Sequence, residues 1–175
     1  QVDWLSDKRP AVVKRAIKAL AKPDNLDALK TAKARIPALW SIHRISGKSA
    51  RAFVRDFLKA RNSEVRAAAI HSTALWLDSE AVERLIELLG SSDARERRLA
   101  AMALGRIGDR RAVKPLLEAG LAPADPFLKH AITYALYEIG GEKNLSTDHP
   151  LTKQVGLMRK VDQRSPAKYV MPEIQ

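Results

Sequence analysis

Small and apolar residues recur at helical spacing through Asp93–Gly108, D-A-R-E-R-R-L-A-A-M-A-L-G-R-I-G. Glu96, Ala100, Ala103, Leu104 and Ile107 fall on one face of a helix turning about every 3.6 residues. The Ser92–Asp93 pair can cap its start, because side-chain oxygens there accept the first free backbone N–H groups. Gly108 can close it in the left-handed conformation. The same pattern returns about every 31 residues: Val65–Ser72 and Ala34–Ser41 precede it, Leu128–Ala135 follows, and a weaker copy lies at Val12–Leu20. Aligned on this period, four columns stay small or apolar. They are Ala38, Ala69, Ala100, Ile132; Ser41, Ser72, Ala103, Ala135; Ile42, Thr73, Leu104, Leu136; and Ile45, Trp76, Ile107, Ile139.

Shorter helices are predicted between the copies, near 25–31, 48–60, 78–89 and 110–119. Phe53, Phe57 and Leu58 form an apolar stripe in the second, Val82, Leu85, Ile86 and Leu89 in the third, and Val113, Leu116 and Leu117 in the fourth. No alternating strand pattern interrupts them. A helix pair of this size cannot bury its apolar face alone, whereas stacked pairs share one continuous core. The expected fold is therefore all-α, an α-solenoid of about five helix pairs spanning residues 1–161. Its repeat helices are expected near 10–21, 33–46, 63–76, 93–107 and 126–139, with a degenerate one at 151–161. Residues 141–150 read as a polar loop, and 162–175, with two prolines and no helical period, as an extended tail or linker.

Composition narrows the chemistry. The chain is 46% hydrophobic but only 5% aromatic, so its helices pack on small side chains. Cysteine is absent, which removes disulfides, thiolate metal sites and thioether-linked haem from these residues. No run approaches the roughly 18 apolar residues of a membrane span, and Q-V-D-W-L-S-D lacks the pattern of a signal peptide. Asn144-Leu145-Ser146 fits a short glycosylation pattern. The net charge of +11 is lopsided: residues 1–61 carry 15 Lys/Arg against 5 Asp/Glu, and residues 62–140 carry 10 against 11. A basic end can attract anionic partners or simply be a solvated face.

Catalytic patterns are missing. His43, His71 and His130 lie on successive repeat helices in different slots, and His149 lies in the polar loop, so a converged metal site is not expected. No H-E-x-x-H, G-x-S-x-G, phosphate-loop or dinucleotide glycine pattern occurs. The chain is expected to be non-enzymatic and to hold no metal or cofactor.

The stretch from Asp93 through D-R-R-A-V-K-P-L-L resembles the short HEAT-like repeat of phycobilisome lyases, over about residues 5–140. Ala38-Leu39-Trp40-Ser41-Ile42-His43-Arg44-Ile45 and Asp125–Leu136 resemble, more narrowly, the HEAT segment of exported bacterial proteins that join a sugar-dehydrogenase-like β-propeller, HEAT repeats and a c-type haem domain. That likeness implies a spacer or docking module of a larger periplasmic protein. Neither a propeller nor a C-x-x-C-H haem attachment is present, so no redox residue carries over. The His-Glu pairs of HEAT-repeat di-iron hydroxylases are missing too.

In such stacks the second helix of each pair lines the concave side. Trp40, His71, Met102 and Tyr134 share a slot about 200° from the buried one, and are expected to form a ridge for a protein partner or an adjoining domain. Ile36, Arg44, Arg98, Arg106 and His130 would flank it. Arg35, Arg66, Arg97 and Lys129 share another slot. They read either as an anion-gripping ladder or as structural ion pairs with acidic residues such as Asp93, Asp125 or Glu64. The alternative partner is nucleic acid, held by the basic N-terminal half as HEAT-like DNA glycosylases hold duplex.

Overall fold

Each of the last three repeat helices begins on a side chain that satisfies its first free N–H groups. Asn62 Oδ1 accepts from Glu64 and Val65 (2.8 and 3.4 Å), Asp93 Oδ1 from Arg95 and Glu96 (2.8 and 3.4 Å), and Asp125 Oδ1 from Phe127 and Leu128 (3.0 and 3.1 Å). The helices they start are long: Ser63–Leu75, Ala94–Ile107 and Pro126–Glu138. The preceding repeat helix, Arg35–His43, starts at Ala34, which has no side chain able to cap, and it is the shortest of the series.

The computed structural model describes residues 2–121, 125–140, 151 and 155–156. The predicted helix at 151–161, the loop at 141–150 with Asn144 and His149, and the tail at 162–175 lie wholly or largely outside the described residues. Among the described residues there are nine α-helices and no strand. They are α1 (Pro10–Leu20), α2 (Leu26–Thr31), α3 (Arg35–His43), α4 (Lys48–Phe57), α5 (Ser63–Leu75), α6 (Val82–Leu88), α7 (Ala94–Ile107), α8 (Val113–Gly120) and α9 (Pro126–Glu138). The pairs are α2/α3, α4/α5, α6/α7 and α8/α9, while α1 packs on α3 and on a short 3-10 turn at Val2–Ser6. The second helices stack in order, α1 on α3, α3 on α5, α5 on α7 and α7 on α9. This is an all-α solenoid.

The repeating columns form its core. All members of the Ala38, Ser41 and Ile42 columns are buried, and the Ile45 column is buried at Ile45 and half-buried beyond it. Two hydroxyls buried in these layers are satisfied within their own helices: Ser41 Oγ donates to Pro37 O (3.0 Å), and Thr73 Oγ1 to Ile70 O (2.9 Å). From the first helices, Val54, Phe57 and Leu58, then Val82, Leu85 and Leu88, then Val113 and Leu116 complete each layer. Phe53, Ile86 and Leu117 sit half-buried at its edge.

Gly108 and Gly105 set the end and the spacing of α7. Gly108 takes φ 77°, ψ 14° at the end of α7 and donates its N–H to Leu104 O (3.1 Å). Gly105, inside α7, lies against α9 so closely that a Cβ there would stand 2.5 Å from Ala135 Cα. The equivalent position one repeat earlier holds Ala74, and two repeats earlier His43, whose Nδ1 meets Ser72 Oγ at 2.7 Å. Shrinking this residue lets neighbouring helices close up, and the contact of α7 with α9 is the most extensive between helices among the described residues.

Candidate functional site

The basic column is turned inward on its own repeats. Arg35 Nη1 donates to Lys30 O (2.6 Å), Arg66 Nη1 to Ala60 O and Arg61 O (2.8 and 2.9 Å), and Arg97 Nη1 to Ser91 O and Ser92 O (2.8 and 3.2 Å). Each guanidinium folds back on the chain before its helix and satisfies main-chain carbonyls there: Lys30 lies in the last turn of α2, whereas Ala60, Arg61, Ser91 and Ser92 lie in the loops after α4 and α6. Arg35 also lies 5.2 Å over the Phe57 ring. Lys129, which cannot fork in this way, is exposed.

One member of the column, Arg66, has an acidic partner in the next repeat. Arg66 Nε donates to Glu96 Oε1 (2.5 Å) and Nη2 to Oε2 (3.3 Å), and Ser91 Oγ adds a third bond to the same buried carboxylate (2.5 Å). Burial pushes the Glu96 carboxyl up, but the bonds from Arg66 and Ser91 outweigh it and hold the group below its ordinary value. Glu64 and Asp125 pair with arginines of two other columns instead: Arg95 meets Glu64, and Arg98 meets Asp125 at 3.5 Å.

The outer face of the stacked second helices carries the candidate ridge. Met102 is 54% exposed and Tyr134 46%, with His71 exposed beside them. Trp40 is different: it is half-buried, with its ring 5.5 Å from His43 and 5.8 Å from His71. His43 stacks on Trp76 at 4.7 Å, and Arg51 lies 5.7 Å over that indole. Burial first, then the charges of His71 and Arg44, hold the His43 imidazole below its usual value.

Met102 separates two clefts. One, of about 240 Å³, lies between α5, α7 and α9, with His71, Leu75, Arg106 and Glu138 around it. The other, of about 560 Å³, is bordered by Arg95, Arg98, Phe127 and His130. Tyr134 lines both. Burial lifts the Glu138 carboxyl above its ordinary value, although Arg106 beside it pulls the other way. Of the expected flanking residues, Arg98, Arg106 and His130 lie on these clefts. Ile36 packs half-buried on the core, and Arg44 borders a third cleft, of about 400 Å³, against α1.

Two large contributors escaped the column reading: Phe127, 71% exposed, and Leu75, 43% exposed. Phe127 occupies the slot filled by Glu64 and Arg95 in earlier repeats, and Leu75 the slot of Arg44 and Arg106. An apolar residue in an otherwise charged outer column is the signal that could have found both.

Among the described residues no group of three or more His, Asp or Glu side chains is placed to hold a metal. No described helix is long and apolar enough to cross a membrane.

Stacked helix pairs with open clefts along their second helices define the class: an all-α solenoid. A family model described as HEAT repeats matches residues 51–137, which run from α4 through α9. The crystal structure of an engineered protein is similar over 93% of this chain and 95% of that one, with a TM-score of 0.54 and 20% identity, a likeness of fold alone. No curated protein matches the sequence.

Proposed function

We propose that this chain is a non-catalytic interaction module, which binds a protein partner or an adjoining domain along the outer face of α5, α7 and α9. The observation that carries this reading is the exposure of Leu75, Met102, Phe127 and Tyr134 around two adjoining clefts, which the other exposed large apolar residues, Trp4, Leu77 and Leu121, do not border. Aromatic, Met and Arg side chains are the types that protein interfaces enrich as anchors, and here they border open clefts. The likeness of Ala38–Ile45 and Asp125–Leu136 to the HEAT segment of exported multidomain proteins supports a docking or spacer role within a larger assembly.

Selection of binders from a displayed random-peptide library, followed by hydrogen-exchange mapping on the full chain, tests the reading. Selected peptides should protect α5, α7 and α9. Met102→Ala with Tyr134→Ala should weaken them by about tenfold to a hundredfold while leaving helical CD unchanged. Protection confined to other faces would overturn the assignment.

A further inference from the structure

The two ends of this face differ in charge. Lys8, Lys14, Lys18 and Arg44 surround the cleft between α1 and α3, floored by Val13 and Ile17. All four cations are exposed, and none carries an ion pair among the described residues. The single carboxylate at that rim, Asp7, is already held by Arg9, whose Nε and Nη2 reach it at 3.0 Å. At the far end the charges are compensated: Arg95 is paired with Glu64 and Arg98 with Asp125, and the open apolar surface there is Met102, Phe127 and Tyr134.

The ends are joined. Arg44 directly follows His43 at the end of α3, the Trp40 ring lies beside both His43 and His71, and His71 lines the middle cleft with Met102 and Tyr134, which continue into the last. One track therefore crosses α1, α3, α5, α7 and α9, passing from cationic through aromatic to apolar. Four steps between helices packed about 8–10 Å apart give roughly 35 Å, the span of an extended peptide of about ten or eleven residues.

We infer that the occupant of this track is an extended, polar-ended segment of a partner protein. Its carboxylates lie over Lys14, Lys18 and Arg44, and its aliphatic or aromatic anchors over Met102, Phe127 and Tyr134. The inference rests on the interaction reading above and adds to it the partner's chemistry and register. Charge complementarity selects an acidic end, because those lysines and Arg44 are uncompensated within the fold. A nucleic acid fits the track less well: its uniform phosphate charge would cover an apolar end whose arginines already have carboxylate partners.

Fluorescence anisotropy on the full chain tests this with three labelled peptides of equal length. One has a glutamate run at one end and Leu and Phe at the other, the second intersperses the same residues, and the third replaces the glutamates with lysines. The segregated acidic peptide should bind at least about tenfold more tightly than either of the others. Lys18→Glu with Arg44→Glu changes two exposed residues; it should remove that advantage and transfer it to the lysine peptide. Phe127→Ala with Tyr134→Ala should weaken both acidic and lysine peptides in their matched proteins. Equal binding of segregated and interspersed peptides, or indifference to the charge reversal, overturns the inference while leaving peptide binding at the face intact. Tight binding of duplex DNA with a steep dependence on salt, and no binding of the acidic peptide, overturns it in favour of phosphate recognition at the basic end. Library peptides that all map away from the face are the separate failure of the interaction reading itself.

Discussion

Gly105→Ala is the sharpest test of how the last two repeats are held together. A Cβ at this position would stand 2.5 Å from Ala135 Cα, 2.8 Å from Ala135 Cβ and 2.8 Å from Glu138 Oε2. The Glu138 oxygen ends a flexible side chain and can swing away. Ala135 Cα is backbone, and carbon atoms rest about 3.5–4.0 Å apart, so α9 has to retreat from α7 by about 1 Å. That retreat loosens the contact of Ala100, Ala103 and Leu104 with the facing side of α9, all of it fully or almost fully buried. Overpacking of this kind costs about 1–3 kcal/mol, and the upper part of that range applies because no rotamer change relieves a backbone contact. Against it stands the better helix propensity of alanine, about 1 kcal/mol. The net expectation is a loss of about 2 kcal/mol, or a fall in Tm of roughly 4–8 °C for a chain of this size.

Urea and thermal unfolding followed by far-UV CD measure the loss, and hydrogen exchange should place it in α9, since neighbouring repeats are each other's main support. Gly90→Ala is the matched control: its Cβ would meet nothing nearer than Glu87 O at 3.5 Å, and its backbone is not left-handed. It should be neutral or stabilise by up to about 1 kcal/mol. A Gly105→Ala protein as stable as its parent would refute the close-approach argument and, with it, the claim that this glycine sets the spacing.

Other perturbations probe the same layers. Glu96→Ala leaves Arg66 and Ser91 without their shared acceptor and should cost about 2 kcal/mol in urea melts. Because the folded carboxyl lies below its ordinary value, its contribution is present at neutral pH and disappears on acidification through that lowered value; Glu96→Gln should flatten this part of the stability–pH curve. His43 titrates the other way round: the folded imidazole resists protonation, so stability should decline as pH falls below about 6.5, where the unfolded chain takes up the proton first. His43→Gln should remove that decline, and an unchanged profile would count against the half-buried Trp40–His43–Trp76 arrangement. Asp93→Ala removes the cap that serves Arg95 and Glu96 and should cost about 1 kcal/mol, read as a lower urea midpoint.

The layers were legible because their residues repeat. Ala38, Ala69, Ala100 and Ile132 satisfy the same demand in each unit, so the period, the helix pairs and the buried face follow from recurrence alone. The caps at Asp93 and Asp125 and the left-handed Gly108 were equally readable, since each acts within a few residues of chain. The arginine column was readable as a column but not in its partners. Arg66 and Arg97 donate to main-chain carbonyls, and carbonyls have no sequence signature. Gly105 was hidden for a related reason: its occupied slot also holds His43, Ala74 and Tyr137, and only the position of the adjacent helix shows what each size does.

The same logic explains why the binding face was only half visible. Recurrence picks out whatever every repeat needs, and every repeat needs its core. A contact surface is under no such demand, so its content lies where repeats depart from one another. Met102 and Tyr134 emerged from a shared column, but Trp40 in that column is half-buried because His43 and His71 close around it. Phe127 and Leu75 replace charged residues of their columns, and that substitution turns a solvated slot into open apolar surface. At the opposite end, Lys14, Lys18 and Arg44 are exposed without the acidic neighbours that Arg95 and Arg98 possess. In a solenoid the conserved period therefore builds the support, and the differences between periods, read along the outer face from α1 to α9, give that support its direction and define what it can hold.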